Sequence, residues 1–244
     1  EGVSKDNIIL ITPHKKITFG EVSVFPISVS HSIPDAVMYV VNTKDGSICY
    51  TGDFIIDPTM KDCYGMDLGR IAYVGKQGVL CLLCESVYSE HVGHTSPNHR
   101  LTDFFKDTLN HHENRIIFSV LPYHIYTIAE IFEAAANSHR KIVVMGKRLQ
   151  SIINYAKEHQ YIEFNENILG DLSNINDPDV ILLICDELEK QYFTIEKILN
   201  NYDKYIKLKS TDTVVFAEPR HDSNEKTLVK IENEIAMQDA ISIS

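Results

Sequence analysis

The second half of the chain alternates between short apolar runs and amphipathic runs, and this order restricts the possible folds more than any other feature. Apolar runs typical of buried strands lie at 79–84, 115–121, 141–145, 179–184 and 213–217. Runs in which apolar residues recur at helical spacing lie at 97–111, 125–137, 149–159, 189–202 and 223–238. A strand–helix series of this kind predicts a doubly wound, mostly parallel sheet with right-handed crossovers.

The stretch before this series predicts three further strands. Residues 22–30, 36–42 and 47–51 are rich in β-branched and apolar residues, and a KDG turn signal separates the last two. His31 directly follows the first of these strands, and Asp53 lies just after the third. Neighbouring strands would bring both side chains to one edge of a sheet, where imidazole and carboxylate groups are typical donors for zinc or manganese. The alternative is that His31 is a capping residue and Asp53 a turn residue.

The residues around His31 and Asp53 resemble a known pair of motifs. HSIPD at 31–35 and YTGDF at 50–54 resemble the third and fourth metal-ligand motifs of the metallo-β-lactamase superfamily, most closely those of its ribonuclease J branch, the β-CASP nucleases. This resemblance implies an α/β fold in two parts. Residues 1–62 would be part of a metallo-β-lactamase αββα domain. Residues 63–244 would be a β-CASP domain with a doubly wound, mostly parallel sheet.

The resemblance also implies a site with two Zn²⁺ or Mn²⁺ ions that hydrolyses RNA phosphodiester bonds. In such a site His31 would bind one metal ion, and Asp53 would bridge the two. Glu85 follows the predicted strand 79–84 and matches the acidic position of the first β-CASP motif, so it would be a catalytic residue. A hydrogen-bonding role for Glu85 within its loop is equally consistent with the sequence.

Three further residues are predicted to contact RNA, and one of them marks a departure from the family pattern. These residues are Ser32, Ser86 and His124, and His124 would, like Glu85, also be a catalytic residue. His124 takes the position of an asparagine in the second β-CASP motif, close to the start of a predicted helix, where it could reach a phosphate or a metal-bound water. Active relatives have histidine and arginine where this chain has Tyr126 and Thr127.

A second departure lies at 185–190, where the chain reads CDELEK and relatives have a glycine-containing turn that binds phosphate. The acidic residues Asp186, Glu187 and Glu189 predict weak binding of RNA.

Neither the first metal motif of the superfamily, HxHxDH, nor the final β-CASP motif occurs in the 244 residues. We therefore expect the chain to be a piece of a longer protein, truncated at both ends, and to be inactive by itself.

Three functions remain open from the sequence. The first is a ribonuclease J-type enzyme, exonuclease or endonuclease, whose missing motifs lie elsewhere. The second is a degenerate paralogue that serves as a structural or RNA-positioning subunit, in a homo- or hetero-oligomer with a ribonuclease J-type subunit. The third is a small-molecule metallo-hydrolase of the same fold.

Composition limits the location of the protein and its mode of RNA binding. The chain has 23 basic and 34 acidic side chains, a net charge of −11, which argues against a broad basic face for nucleic acid. Five cysteines predict a reducing compartment, and we expect a cytoplasmic protein without a membrane span.

Two further features predict no metal site. Residues 81 and 84 form a CxxC pair expected to be two buried thiols, and His91, His94 and His99 are expected to be loop histidines.

Overall fold

A computed structural model of the protein describes residues 3–60, 62–87, 89–90, 92–93, 100–186, 190–218 and 223–244. The chain forms two compact units, Glu1–His99 and Arg100–Ser244. This division lies further along the chain than the boundary between residues 62 and 63 that the sequence predicts for the two domains. The assignment of 1–62 and 63–244 to the two domains of the family stays a prediction.

The first unit contains a five-stranded sheet. Its strands are β1 (Ile17–Phe19), β2 (Val22–Ser28), β3 (Val37–Thr43), β4 (Gly46–Tyr50) and β5 (Cys81–Leu83). They lie side by side in the order of the chain. The first four strands are antiparallel neighbours, and β5 is parallel to β4. The predicted turn between the second and third of the expected strands is confirmed, since β3 and β4 are joined directly through Lys44 and Asp45.

One face of this sheet packs on a helix, α1 (Leu68–Gln77). Buried side chains such as Ile27, Met38 and Val40 form the core, and Ile71 and Val74 of the helix pack against them. The Asp67 side chain begins α1 by accepting a hydrogen bond from the N–H of Arg70 over 2.9 Å.

The position of β5 corrects the sequence prediction. The apolar run 79–84 was expected to be the first strand of the doubly wound sheet, buried on both faces. It pairs instead with β4, and Leu82 and Leu83 are 59% and 52% exposed. Cys81 and Cys84 are also exposed, so the expectation of two buried thiols is wrong. An apolar run predicts a strand, but it contains no information about which strand will be its neighbour.

The second unit is the predicted doubly wound structure. Its helices are α2 (Thr102–His111), α3 (Ile125–Ala136), α4 (Lys147–Glu158), α5 (Phe193–Leu199) and α6 (Glu225–Ala236). Its strands are β6 (Ile116–Val120), β7 (Ile142–Val144), β8 (Ile181–Cys185), β9 (Thr213–Phe216) and β10 (Ile241–Ile243). All five strands are parallel, in the order β10–β9–β6–β8–β7. The runs predicted from the sequence did not include β10.

Helices cover both faces of this sheet, and its central strands are buried. Ile117 of β6 lies in a core with Ile195 of α5 and Ile231 of α6. The next residue, Phe118, points to the other face, where its ring meets that of Phe105 in α2 at a centroid distance of 5.3 Å. Since successive side chains of a strand alternate in direction, continuous apolar runs are what such a two-sided strand requires.

A buried ion pair joins two strands of this unit at their amino ends. The Arg115 guanidinium donates from Nε to Oδ1 of Asp212 over 2.9 Å, and also donates to the carbonyl oxygens of Ile175 and Lys207 over 3.0 and 2.6 Å. Arg115 and Asp212 are 1% and 0% exposed. A buried charge must be paired and hydrogen-bonded, and these bonds meet that requirement for the Arg115 guanidinium. They also join the loops around the pair.

None of the helices in the described parts of the chain is long and apolar enough to cross a membrane.

Candidate functional site

Three strand ends meet at one edge of the first sheet. β2 and β4 run in the same direction, because each is antiparallel to β3, and β5 is parallel to β4. Backbone hydrogen bonds join the segments beyond these strands: Ile55 donates to the oxygen of Ser30 over 2.9 Å, and Thr51 donates to that of Leu83 over 3.0 Å. The functional groups at this edge, which we call the carboxylate edge, belong to His31, Asp53 and Glu85.

Glu85 is fixed to the carboxylate edge by two hydrogen bonds. Its Oε2 accepts from the N–H of Phe54, and its own N–H donates to Oγ1 of Thr51, both over 3.3 Å. Phe54 directly follows Asp53, so Glu85 helps to position the segment that carries the exposed Asp53 carboxylate. The hydrogen-bonding role left open by the sequence is therefore present, and a catalytic role for Glu85 stays a prediction.

His31 is half-buried beside these two carboxylates. Burial lowers the pKa of His31 below its ordinary value, while the negative charges of Asp53 and Glu85 oppose this shift. The imidazole is therefore mainly neutral at pH 7. Its Nδ1 accepts a hydrogen bond from the N–H of Ile33 over 3.0 Å. Because Nδ1 must offer a lone pair to this donor, the neutral ring carries its proton on Nε2.

The three residues predicted to bind RNA lie in two different units. Ser32 is half-buried in the loop after His31, and Ser86 is exposed next to Glu85, so both flank the carboxylate edge. His124 lies in the second unit at the carboxyl end of β6, where it is the N-cap residue of α3. The backbone oxygen of His124 accepts a hydrogen bond from Ile128 over 3.1 Å, as expected for the first turn of a helix.

The structure gives Asp186 a different role from the one that the acidic segment 185–190 predicted. Its carboxylate is buried and accepts hydrogen bonds from the N–H and Oγ1 of Thr194, over 2.8 and 2.7 Å. Burial raises the pKa of Asp186 above its ordinary value. Asp186 thus holds the start of α5 and is not an exposed charge that would repel phosphate. Glu187 and Glu189 lie outside the described residues.

A buried polar network that was not predicted from the sequence lies at the carboxyl ends of β6 and β9. Glu218 accepts hydrogen bonds from Ser119 Oγ over 2.8 Å and from Gln191 Nε2 over 2.6 Å, and Asn224 donates to Gln191 in turn. Burial raises the pKa of Glu218. The strand order reverses at this position, because β7 and β9, which both follow β6 in the chain, lie on opposite sides of β6. The serine within an otherwise apolar strand was the available signal.

Comparison with known families shows which protein family the chain belongs to. The family model for the β-CASP domain of ribonuclease J matches residues 113–235, about half of the chain, and all of them lie in the second unit. The chain belongs to the ribonuclease J family. The predicted fold class, a metallo-β-lactamase part with a β-CASP domain, is confirmed by this match and by the parallel sheet of the second unit.

Individual members of the ribonuclease J family match most of the chain. It is 33% identical over 204 residues to ribonuclease J2 of Bacillus subtilis, and this alignment covers 82% of this chain and 37% of that protein. It is 29% identical over 228 residues to ribonuclease J 1 of Streptococcus pyogenes, and this alignment covers 92% of this chain and 40% of that protein. The chain therefore spans about two fifths of the length of these relatives.

A solved structure supports the fold of this ribonuclease J family member. The crystal structure of a protein of unknown function from Enterococcus faecalis V583 superimposes with a TM-score of 0.64 at 17% sequence identity. The match covers 97% of this chain and 55% of that chain. At this identity the likeness concerns the fold alone.

The donor types at the carboxylate edge suit the zinc or manganese expected from the ribonuclease J resemblance, but the number of donors does not. Within the described residues, no three His, Cys, Asp or Glu side chains are grouped so that they could hold a metal ion. A catalytic zinc is normally held by three protein ligands. The loop histidines His91, His94 and His99 lie outside the described residues. The described side chains therefore do not form a complete metal site, and binding of metal by His31 and Asp53 stays a prediction.

Proposed function

We propose that the protein processes RNA as a ribonuclease J-type phosphodiester hydrolase, and that this chain supplies the carboxylate edge of its active site. The observation that carries the proposal is the convergence of His31, Asp53 and Glu85 beyond the carboxyl ends of β2, β4 and β5. Membership of the ribonuclease J family supports RNA as the substrate. It also makes the small-molecule hydrolase the weakest of the three functions inferred from the sequence.

In the proposed site, His31 and Asp53 would hold zinc or manganese together with ligands beyond the described residues. Bound metal ions lower the pKa of a water molecule towards neutrality and stabilise negative charge on a phosphate. Glu85 acts on the segment that carries Asp53, since it accepts the Phe54 N–H. His31 remains neutral near pH 7, as a metal ligand must be. Ser32 and Ser86 flank this edge and would donate hydrogen bonds to phosphate oxygens.

The proposed location is the cytoplasm. All five cysteines are free thiols, as is usual in a reducing compartment.

The test is hydrolysis of a labelled RNA by the protein at its natural length in the presence of Zn²⁺ or Mn²⁺. Asp53→Ala should abolish cleavage, because it removes a carboxylate that would bind metal directly. Asp45→Ala is the matched control, since it makes the same change at an exposed turn position of the same unit. Cleavage by the Asp53→Ala protein at the unmodified rate would exclude this metal assignment.

A second candidate function is that of a non-catalytic subunit paired with an active ribonuclease J-type chain. It is favoured by Thr127, which stands where active relatives carry arginine and is buried within α3. At this position the chain contributes to packing and has no cation to offer a phosphate. In this case the protein would cleave no RNA alone, and it would change the rate of an active partner when the two are mixed.

A further inference from the structure

The first unit contains a pocket of about 220 Å³ between its sheet and α1. The helical wall consists of Arg70 and the residues three, four and seven positions later, Tyr73, Val74 and Gln77, which share one face of a helix. The volume equals that of about seven water molecules, each taking about 30 Å³ in the liquid, so a ligand here must be small. We call this feature the α1 pocket.

The middle of the α1 pocket is apolar. Val40 of β3 is buried, and Phe25 lies opposite it in the register of β2 and β3. Phe25 and Val74 are only partly buried members of the same core, and both line the pocket. They therefore keep apolar surface that a ligand can cover, and covering it would be favourable.

One end of the α1 pocket is positively charged. The guanidinium carbon of Arg70 lies 6.0 Å from the centroid of the Phe25 ring. Lys16 directly precedes β1, and the register of β1 with β2 places it beside Phe25 as well. Arg70 Nε donates to Oδ2 of Asp67 over 3.0 Å, while the two terminal nitrogens remain as donors for a ligand. Among the described residues that line the pocket, none is acidic, although the chain has a net charge of −11.

The other end of the α1 pocket is polar but uncharged. Asn42 and Ser47 are paired across β3 and β4, and Ser47 Oγ donates to Asn42 Oδ1 over 2.7 Å. This bond leaves the amide nitrogen of Asn42 as a donor. Gln77, the last residue of α1, adds a second amide. Because the carboxyl end of a helix carries a partial negative charge, this end favours an uncharged polar group over an anion.

We propose that the α1 pocket binds a small hydroxylated carboxylate. The carboxylate lies at Lys16 and Arg70, which provide charge-assisted hydrogen bonds. The apolar body of the ligand covers Val40, and its hydroxyl accepts from Asn42. Val40 and Asn42 are two residues apart along β3, about 7 Å, a distance that one ring with groups at opposite positions can bridge. The inference does not rest on the proposed hydrolase function, because the pocket lies towards the amino end of β4, away from the carboxylate edge.

The experiment titrates the unmodified, isotope-labelled chain with para-hydroxybenzoate and follows the backbone amides by NMR. The amide signals of Asn42, Ser47 and Tyr73 should shift together, and the affinity should fall as the salt concentration rises. Para-hydroxybenzamide has nearly the same shape without the negative charge, and it should bind about tenfold more weakly or worse. Benzoate lacks the hydroxyl and should bind roughly threefold more weakly.

Two exposed positions allow the α1 pocket to be changed without a change in the core. Lys16→Gln removes one cation and should weaken binding of para-hydroxybenzoate about threefold to tenfold. Lys15→Gln is the matched control, because it removes the neighbouring exposed lysine, which does not line the pocket, and should bind within about twofold of the unmodified chain. Gln77→Glu adds a carboxylate to the lining at the exposed end of α1 and should also weaken binding, by roughly threefold or more.

Three results would overturn the inference. The first is that the unmodified chain does not bind para-hydroxybenzoate at millimolar concentrations. The second is that para-hydroxybenzamide binds equally well, because the two cations would then have no part in recognition. The third is that Lys16→Gln and Lys15→Gln bind the carboxylate with the same affinity. Since the titration contains no RNA, failure of the hydrolase proposal would leave each of these results unaffected.

Discussion

Nδ1 of His31 and the backbone N–H of Ile33 form a hydrogen bond of 3.0 Å. A metal bound at Nε2 would leave the ring proton on Nδ1, which could then no longer accept this bond. A metal bound at Nδ1 would displace the Ile33 amide. Metal binding by His31 through either nitrogen therefore requires the loop after β2 to rearrange.

The first prediction concerns the pKa of His31. Its value should lie below the ordinary value of about 6.5, and Asp53→Asn should lower it further, because Asp53 is one of the charges that oppose the effect of burial. Titration of the imidazole by NMR measures both. Asp45→Asn is the control. As the pH falls below about 6.5, the unfolded chain takes up a proton on this imidazole before the folded chain does. The free energy of unfolding therefore decreases, and the loss is complete once the pH is below the lower pKa of the folded chain. A His31 pKa that rises in Asp53→Asn would contradict the geometry.

The second prediction is that this chain holds zinc weakly. The described residues offer fewer than the three ligands of a catalytic zinc, and binding must break the bond between His31 and Ile33. Elemental analysis after dialysis should find well under one zinc per chain. Zinc retained at one equivalent would show that further ligands exist, and His91→Ala and His94→Ala would be the first variants to examine.

The third prediction separates Glu85 from Asp53 in the natural-length protein. Glu85→Gln keeps an oxygen that can accept the Phe54 N–H but removes the charge beside His31. We expect RNA cleavage to fall about tenfold to a hundredfold, as is common for residues that act through a metal ligand. Glu21→Gln, an exposed change in the same unit, should have no effect. Complete loss of cleavage in Glu85→Gln would instead indicate direct participation.

The fourth prediction concerns stability. Asp212→Ala leaves the buried Arg115 guanidinium without its carboxylate and should lower the free energy of unfolding by about 3–5 kcal/mol. The double variant Arg115→Met with Asp212→Leu should recover much of this loss. Denaturant unfolding measures both variants, with Glu166→Ala in the exposed pair with Lys157 as a control of little effect. Equal losses in the double and single variants would show that packing, and not the unpaired charge, is responsible.

Local patterns predicted the second unit well, and long-range partners explain where prediction failed. The alternation around Ile117 and Phe118 is a property of a few adjacent residues, so it could be read directly. The convergence of His31 and Asp53 followed from strand ends alone. The pairing of β5 with β4, and that of Arg115 with Asp212, depend on residues far apart in the chain, which no local pattern specifies. Asp186 was misjudged because its partner, Thr194, lies beyond the segment that suggested its role.

The strand order of the second unit has a consequence for synthesis on the ribosome. β6 is central in the sheet but is made first, and its neighbours β8 and β9 come much later in the chain. At about 5–20 residues per second, the apolar strand waits several seconds before either neighbour has emerged. Nascent chains of this protein should therefore depend on chaperones that bind apolar segments, and a pause in translation before β8 should lower the yield of folded protein.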